Sequence, residues 1–464
     1  MKEHYQLAVI GAGPAGLAAA TMAAEQGIDV AVFDEQVAPG GQIYRAMDSI
    51  PQHRARQLGD EYQRGRKLVS AFRASGAEYF AETAVWSLNG RRQIGLLQQG
   101  QARMLTADQV VIASGAFERP VPFPGWTLPG VMNAGAGQIL FKAHGIVPHD
   151  GVVLAGSGPL LLLLAWQYLH AGVSVKALLD VTPMKNHLYA LPGLPRALLA
   201  GHYITKGMQY KSDLKRAGIS TLHNIRKLRA QGKDALQSVS FVHNGREQSL
   251  ETAVLLVHFG VIPQTQLSRV AGCRHLWDDS QLCWRPQLDE WGRTSVDGIL
   301  VAGDGGGIGG ARTAEHAGRL AALQVLCALG VLDRTARQRL ARKDRKWMRQ
   351  ESHIRPFLEA FFRISDDLLQ VADDDTLVCR CEEVSAGQIR AAVADGHDDS
   401  NQVKFLTRCG MGPCQGRQCA EAVSHIVAAA SGKAVQDIGH YRQRPPVNPL
   451  TLGQLAGLQW EKSE

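Results

Sequence analysis

Along this chain the apolar positions fall into short blocks rather than long stripes. The first block, LAVIG from residue 7, is a continuous apolar run closed by glycine, which predicts a strand buried on both faces. An alanine-rich helical stretch follows, and then a second apolar block, VAVF, that ends at Asp34. The same order of strand, glycine turn, helix and strand recurs in GVVLAGSGPLLLLLAWQYLHAGVSVKALLD at 151–180. Two further strands are predicted where apolar runs meet glycine, in ADQVVIASG (107–115) and GILVAGDGGG (298–307). Strands alternating with helices predict an α/β fold with parallel sheets. The segment DRTARQRLARKDRKWMRQ (333–350) is helical in composition but polar nearly throughout. The longest apolar run, PLLLLLAW (159–166), is far short of the roughly 18 residues that span a bilayer.

Composition narrows this picture. With 464 residues, 45% of them hydrophobic, and 49 glycines, the chain can hold several packed cores joined by tight turns. Length alone suggests about three domains. The N-terminal residues run into the first strand without the features of a secretory signal. The expectation is therefore a cytoplasmic protein with reduced thiols, where clustered cysteines point to a metal or a catalytic pair rather than to structural disulfides. The net charge of +7 is concentrated in the 333–350 segment, which reads as a solvated helix face, a dock for an acidic protein, or a contact with the anionic inner face of a membrane. No nucleic-acid module accompanies it.

The glycines of the first turn each have a physical task. Gly11 permits the sharp turn, Gly13 lets a pyrophosphate approach the backbone, and Gly16 brings helix and strand together. The helix that begins at Pro14 and Ala15 offers unpaired N–H groups to phosphate, and Asp34, with Glu35 beside it, can accept from ribose hydroxyls. In the second unit Gly156 and Gly158 are present, but Leu161 replaces the third glycine and Leu179 replaces the ribose acid, with Asp180 one residue late. A bulky Leu161 would push the helix off the strand, so the expectation is a retained fold whose NAD(P) binding is weakened or lost.

Three stretches resemble thioredoxin-reductase-like flavoproteins: APGGQIYR (38–45), ADQVVIASGAFERP (107–120) and TSVDGILVAGDGGGIGGARTAEHAGRLAA (294–322). The resemblance implies FAD in the first site, held by Gly11, Gly13, Pro14, Ala15, Gly16, Asp34, Glu35, Gly41, Gln42, Val85, Ser114, Gly115, Gly303 and Asp304. It implies a split FAD-binding domain (1–120 and 290–325) around an inserted second dinucleotide fold (121–289). A basic helical connector (326–375), a small cysteine-bearing domain (376–435) and a C-terminal arm (436–464) follow. No CxxC or CxxxxC pair precedes residue 379, and Cys273, Cys283 and Cys327 are isolated, so a disulfide-reductase reaction is not expected.

Five of the eight cysteines fall between 379 and 419, as Cys379-x-Cys381, Cys409 and Cys414-x4-Cys419. Four thiolates suit either tetrahedral zinc or an iron–sulfur centre. A Cys-x-Cys pair is tight for a single ion, whereas a [2Fe–2S] cluster spreads its ligands over two irons. The stretch resembles the bacterioferritin-associated-ferredoxin type of [2Fe–2S] domain, which implies Cys379, Cys381, Cys414 and Cys419 as ligands and leaves Cys409 outside the set.

With the segments GWTLPGVMNAGAGQILFKAHG (125–145), LLVHFGVIPQTQL (255–267), WDDSQLCWRPQLDEWGRTS (277–295) and YRQRPPVNPL (441–450), the whole chain resembles the α subunit of the opine oxidase, D-hydroxyproline dehydrogenase and hydrogen cyanide synthase family. That family implies a heteromeric complex. A flavin-bearing β subunit related to D-amino-acid oxidases oxidises an amine, a small γ subunit often adds another [2Fe–2S] centre, and in related proline dehydrogenases an FMN lies at a subunit interface. The α subunit then carries electrons from FAD through [2Fe–2S] to a quinone, a cytochrome or another protein. The competing readings are a self-sufficient NAD(P)H-dependent reductase, a non-enzymatic docking subunit, and a glycine-oxidising cyanide synthase subunit. The PGGQIYR loop leans towards an imino acid or opine. No catalytic residue stands out. His258 reads as a core histidine or an acid–base group, and Glu118, Arg119 and Trp126 as a structural turn or a lining of the flavin or an interface. Arg442, Arg444, Pro445 and Pro446 predict an arm that is either disordered or extended on a surface, conceivably a neighbour's.

Overall fold

The computed structural model describes residues 1–371 and 373–458, so the last six residues of the expected arm lie outside the described part. The first sheet has seven strands. Six follow the order β3-β2-β1-β6-β5-β4, with β1 at His4–Ile10, β2 at Val30–Phe33, β3 at Glu78–Phe80, β4 at Thr83–Leu88, β5 at Gln93–Gln98 and β6 at Gln101–Ile112. The seventh, Ile299–Val301, pairs in parallel with the end of β6. The chain thus comes back after an excursion of nearly two hundred residues to complete its first sheet, as the GILVAGD segment leads one to expect.

The continuous apolar run in β1 follows from burial on both faces. Leu7 and Val9 point into a core shared with the helices Pro14–Ala24 and Ala311–Ala328, while Ala8 and Ile10 point into a second core under β4, β5 and β6. The inserted sheet repeats the arrangement with five parallel strands, in the order Ser220–Leu222, Val175–Asp180, Val152–Ser157, Leu255–Phe259 and Val131–Asn133. Here too alternate residues divide: Val152 and Leu154 join one core, Val153 and Ala155 the other. A three-stranded antiparallel sheet (226–251) covers the insert, and the antiparallel pair Ala116–Glu118 and Val261–Pro263 marks the two crossings between the units.

The stretch from 264 to 289 serves both units: Leu267, Ala271 and Cys273 lie in the core under the first sheet, whereas Leu282 packs in a core of the insert. From 334 to 352 the basic segment forms a helix capped by Asp333, whose carboxylate accepts from the Ala336 N–H. The C-terminal unit has its own core of Val378, Ile389, Val403, Val423 and Ile426, built from a short hairpin at 377–385 and the helices Ala386–Ala394, Ser400–Thr407 and Ala420–Ser431. Beyond it the arm is ordered on this chain's own surface. The Val447 N–H donates to Trp86 O at 2.8 Å, and Leu458 packs with Trp86 and Ala102. Up to residue 458 it is held there because β4, β5 and β6 offer it both the Trp86 carbonyl and an apolar patch.

Candidate functional site: a nucleotide cradle and a thiol cluster

The first turn is built by close approach. A side chain at Gly16 would put its Cβ 1.8 Å from Gly11 O, and one at Gly11, where φ is +103°, would meet Ala113 O at 2.5 Å. Both glycines therefore serve packing of helix, strand and closing strand. The cradle itself lies between Gly13 and Gly41. A Cβ on Gly41 (φ +61°) would sit 2.7 Å from the Gly13 Cα, which leaves bare backbone where a pyrophosphate needs it. Gly13 caps the helix starting at Pro14 and Ala15, with no acidic side chain in its first turn to compete for the N–H groups.

Asp34 braces this turn. Its carboxylate accepts from the Ala12 N–H at 2.5 Å and from the Gln36 N–H at 2.8 Å. Burial pushes its pKa above the ordinary value, and those two N–H donors pull it back only in part. Asp304 does the same at the glycine turn after the strand Ile299–Val301, where one oxygen accepts from both Gly309 and Gly310 N–H groups at 2.9 Å. Gly303 abuts the Ala15 Cβ, and a Cβ on Gly318 would meet Ala15 O at 2.1 Å, so the two helices that start beside the cradle cross in contact. Gly115 O accepts from the Gln264 N–H, and Ser114 Oγ donates to Gln264 O at 3.2 Å, which closes the floor at the crossing. Gln42 lies on the loop above, its amide oxygen accepting from Arg45 at 2.8 Å. Val85 and Glu35 meet at the arm: Asn448 Nδ2 donates to Glu35 Oε1 at 3.0 Å and to Val85 O at 3.2 Å. These residues fit a flavin dinucleotide: two bare glycine backbones, two helix starts and two half-buried carboxylates around one opening.

The second glycine turn does not fit its ligand in the same way. Gly156 and Gly158 are backed by His258, whose ring lies 3.1–3.2 Å from where a Gly158 Cβ would be. Ser157 Oγ pairs with Thr182 Oγ1 at 2.8 Å and donates to Phe362 O at 3.0 Å. Asn186 Nδ2 donates to Phe361 O and Arg363 O at 3.1 and 2.7 Å. The connector is thus strapped across the turn by its own carbonyls. Leu161 has not pushed the helix away; it is fully accommodated in the core beneath it, and Leu179 is buried on the opposite side of the sheet. Asp180 is occupied by the Thr182 N–H and by His223.

Two pairings escaped the sequence. His258 Nδ1 lies 2.6 Å from Glu118 Oε1, while Glu118 Oε2 accepts from the Gly135 N–H at 2.7 Å. This is a buried carboxylate–histidine pair whose members are 140 positions apart and share no motif. Lys142, fully buried, donates to Gln42 O and Ile43 O at 3.3 and 3.1 Å, beneath the loop that borders the cradle. Burial, with Arg45 nearby, holds its pKa down to about 7. The only trace of it in the sequence is a lysine in the otherwise apolar helical stretch GQILFKAHG.

In the C-terminal unit the thiols divide into an inner group and an outer pair. The sulfurs of Cys379, Cys409 and Cys419 lie within 4.8 Å of one another and are buried. Cys381, which is exposed, instead faces Cys414. The Cys-x-Cys pair points to both groups at once because Cys379 ends a strand and Cys381 lies in the turn that follows it. Cys409, expected outside the ligand set, lies beside Cys379 and Cys419 in the inner group, where the αL turn at Arg408 brings it. The chemistry is that of a metal-binding set. Donation from Cys409 and Cys419, and from the Gly410 and Glu382 N–H groups, draws the Cys379 thiol down to about 2, while the contact with Cys379, together with burial, raises Cys409 to about 12. One thiolate is already favoured, and a positive centre would favour the others. Gly412 is required here, since a Cβ would lie 2.3 Å from that of Cys381.

The two sites are joined by buried polar contacts. Arg119 Nη1 meets Glu421 Oε2 at 2.5 Å, and Trp126 Nε1 donates to Leu377 O at 2.7 Å. Arg119 and Trp126 are therefore interface residues. Arg417, from the thiol loop, donates to Asn448 Oδ1 at 2.8 Å, and Asn448 in turn reaches Glu35.

Comparison with known proteins agrees with this layout. Residues 5–318 match the pyridine nucleotide-disulphide oxidoreductase family, and residues 374–458 match the sarcosine oxidase A3 domain. The chain is 41% identical to an opine oxidase subunit of Rhizobium meliloti over 99% of its own length and 88% of the relative's. It is 31% identical to hydrogen cyanide synthase subunit HcnB of Pseudomonas protegens over 98% of both chains. Among solved structures, L-proline dehydrogenase from P. horikoshii shares the fold with a TM-score of 0.71 and 21% identity, over 97% of this chain and 79% of that one. The chain is a two-dinucleotide-fold flavoprotein of the oxidoreductase class, and it belongs to the family that unites these opine oxidase subunits with hydrogen cyanide synthase subunit HcnB.

Proposed function

We propose that this chain is the FAD- and [2Fe–2S]-bearing electron-transfer subunit of a heteromeric amine or imino-acid dehydrogenase, relaying electrons from a flavin-bearing partner subunit to an acceptor. The observation that carries this reading is the union, in one chain, of a glycine-lined dinucleotide cradle and a buried thiol cluster locked together through Arg119–Glu421 and Arg417–Asn448–Glu35. The 41% identity to an opine oxidase subunit supports an opine or related imino acid as the donor at the partner. Bound at these two places, FAD and a [2Fe–2S] centre supply acceptance of electron pairs and release of single electrons.

The chain's own residues then have distinct tasks. Gly13 and Gly41 admit the pyrophosphate, Asp34 and Asp304 hold the two glycine turns in shape, and Ser114 with Gly115 closes the floor. Cys379, Cys381, Cys414 and Cys419 are the proposed ligands, two from the inner group and two from the outer pair. Ser157, Asn186 and the 361–363 backbone keep the second turn covered, which argues against NAD(P)H as the electron source. Anaerobic titration of the purified chain separates the readings. NADH should leave the flavin absorbance unchanged, whereas partner subunit plus an opine or imino acid should bleach it and give a one-electron paramagnetic signal from iron. Stoichiometric bleaching by NADH alone, or zinc in place of iron, would sink the proposal.

A further inference from the structure

The inserted unit reaches into the first nucleotide site through one buried cation. Lys142 stands on the helix Ala134–His144, 4% exposed, among the buried positions Ala134, Gln138 and Phe141. A buried ammonium is costly unless it is paired. Among the described residues no carboxylate forms an ion pair with Lys142, and the charge that acts on it, Arg45, has the same sign. Its contacts are the carbonyls of Gln42 and Ile43, at 3.3 and 3.1 Å, and the ring of Tyr62, 5.9 Å from Nζ.

Those carbonyls belong to the loop that carries Gly41. The Tyr44 N–H donates to Gly40 O at 3.2 Å, which curls the loop into a single turn. The N–H groups of Gly41, Gln42 and Ile43 have no acceptor among the described residues. Successive N–H groups left open in a turn make a concavity for an anion. In a planar trans peptide the N–H points opposite to the C=O, so the Ile43 N–H is directed away from Lys142. A cation at the carbonyl end polarises such peptides and strengthens the donors on their other side. Gly41 is also where the backbone lies bare against Gly13, so the lysine acts on the cradle from behind.

We infer that Lys142 is a positioning residue for the flavin dinucleotide, its charge held behind the Gln42 and Ile43 carbonyls and answered by the pyrophosphate. This rests on the FAD assignment proposed above. It gives the insert, whose own glycine turn is covered, a task at the first site.

Proton linkage makes the inference testable. Without an anion beside it, burial and Arg45 hold the ammonium down to about 7. A bound pyrophosphate favours the charged form and raises that value, so affinity is complete below pH 7 and falls as the pH climbs through both values. The other groups facing Lys142 keep their charge state from pH 6 to 9. Arg45 stays charged, burial pushes Tyr62 up to about 12, and Tyr168, packed on Phe141, is likewise held at about 12. His144, two residues on, is exposed, and comparison with the variants cancels its share.

The experiment is FAD rebinding to the flavin-stripped full-length chain, by calorimetry in two buffers of different ionisation enthalpy. Wild type should take up protons on binding at pH 7.5, and its Kd should rise about tenfold from pH 6 to 9. Lys142→Met should bind about tenfold more weakly at pH 6, with a flat pH profile, no lysine-linked proton uptake and unchanged circular dichroism. Lys142→Gln, which keeps a donor for the carbonyls but no charge, should behave like the methionine variant. Either variant binding FAD as tightly as wild type at pH 6, or keeping the wild-type proton uptake, would overturn the inference and leave the FAD assignment standing. Wild type that binds no FAD would overturn both.

Discussion

Arg119 and Glu421 form a nearly water-free ion pair across the junction between the nucleotide-binding units and the thiol-bearing domain. They lie 302 positions apart, with side chains 4 and 11% exposed. The guanidinium also donates to Leu282 O and Gln281 O at 2.8 and 2.7 Å, so it ties three segments at once. Burial pushes the Glu421 carboxyl up, against the pull of Arg119 and Arg269. A buried pair of this kind suffers far more from loss of one member than from replacement of both by apolar residues. Glu421→Gln should destabilise docking of the thiol domain by about 3–5 kcal/mol, whereas Arg119→Met with Glu421→Leu should recover most of it. Denaturant midpoints of the three proteins decide the matter; a glutamine variant within about 0.5 kcal/mol of wild type would show that the pair is solvated.

The nucleotide cradle makes a sharper demand. Gly41→Ala puts a methyl 2.7 Å from the Gly13 Cα at a positive φ, in the opening where the pyrophosphate belongs. FAD affinity should fall at least about tenfold, read as loss of flavin absorbance after dialysis, with secondary structure kept. Gly201→Ala, which meets nothing within 4 Å, is the control and should retain its flavin.

Much of this was legible in the sequence because it rests on local rules. The two glycine turns, the strand that returns at Ile299 and the crowding of thiols around residues 379–419 each follow from a spacing that a few consecutive residues must satisfy. What stayed hidden depends on contacts between distant segments. Nothing near His258 or Glu118 announces their pairing at 2.6 Å, and nothing near Phe362 announces that its carbonyl meets Ser157. Leu161 was expected to displace its helix, yet the core beneath it has room. The volume that decides such a case belongs to Phe141, Leu154 and Leu164 jointly and cannot be read from any one of them. The arm, with its prolines and arginines, reads equally as disordered or as extended on a surface; Trp86, Val85 and Glu35 anchor it through Val447 and Asn448.

Cys409 separates two roles for a thiol in the inner group. Four ligands would complete the proposed [2Fe–2S] centre, with Cys379, Cys381, Cys414 and Cys419 supplying two from each group. Cys409 then remains as a donor to its neighbours, next to the Tyr441 hydroxyl. A hydrogen bond to a ligand sulfur favours the reduced, more negative state. Cys409→Ala should therefore keep its iron but show a lower reduction potential, while alanine at any of the other four should lose most of the iron. Loss of iron from the Cys409 variant, measured by metal analysis, would instead make it a ligand.

The pH dependence of stability should rest on histidines kept neutral at the same junction. Burial, helped by Arg269, holds His275 down to about 3, and burial, helped by Arg119 and Arg363, holds His425 down to about 3. An unfolded chain protonates both near pH 6.5, so between about 3 and 6.5 the unfolded state binds protons that the folded state refuses. Stability is then complete above that window and falls as the pH drops through it, by about 1.4 kcal/mol per unit for each ring. His275→Gln and His425→Gln should each flatten the slope of denaturant midpoint against pH below 6.5, and together should remove the share of it these rings cause. The reason lies in the packing. The ring of His425 lies 5.9 Å from that of Trp277, and His275 is enclosed by Ser268 and the Cys273 carbonyl. A charge on either ring could be solvated only by opening the junction. The midpoint should therefore fall together with release of the thiol domain, seen as new cleavage near residue 370 in limited proteolysis; a slope unchanged in both variants would place the acid sensitivity elsewhere.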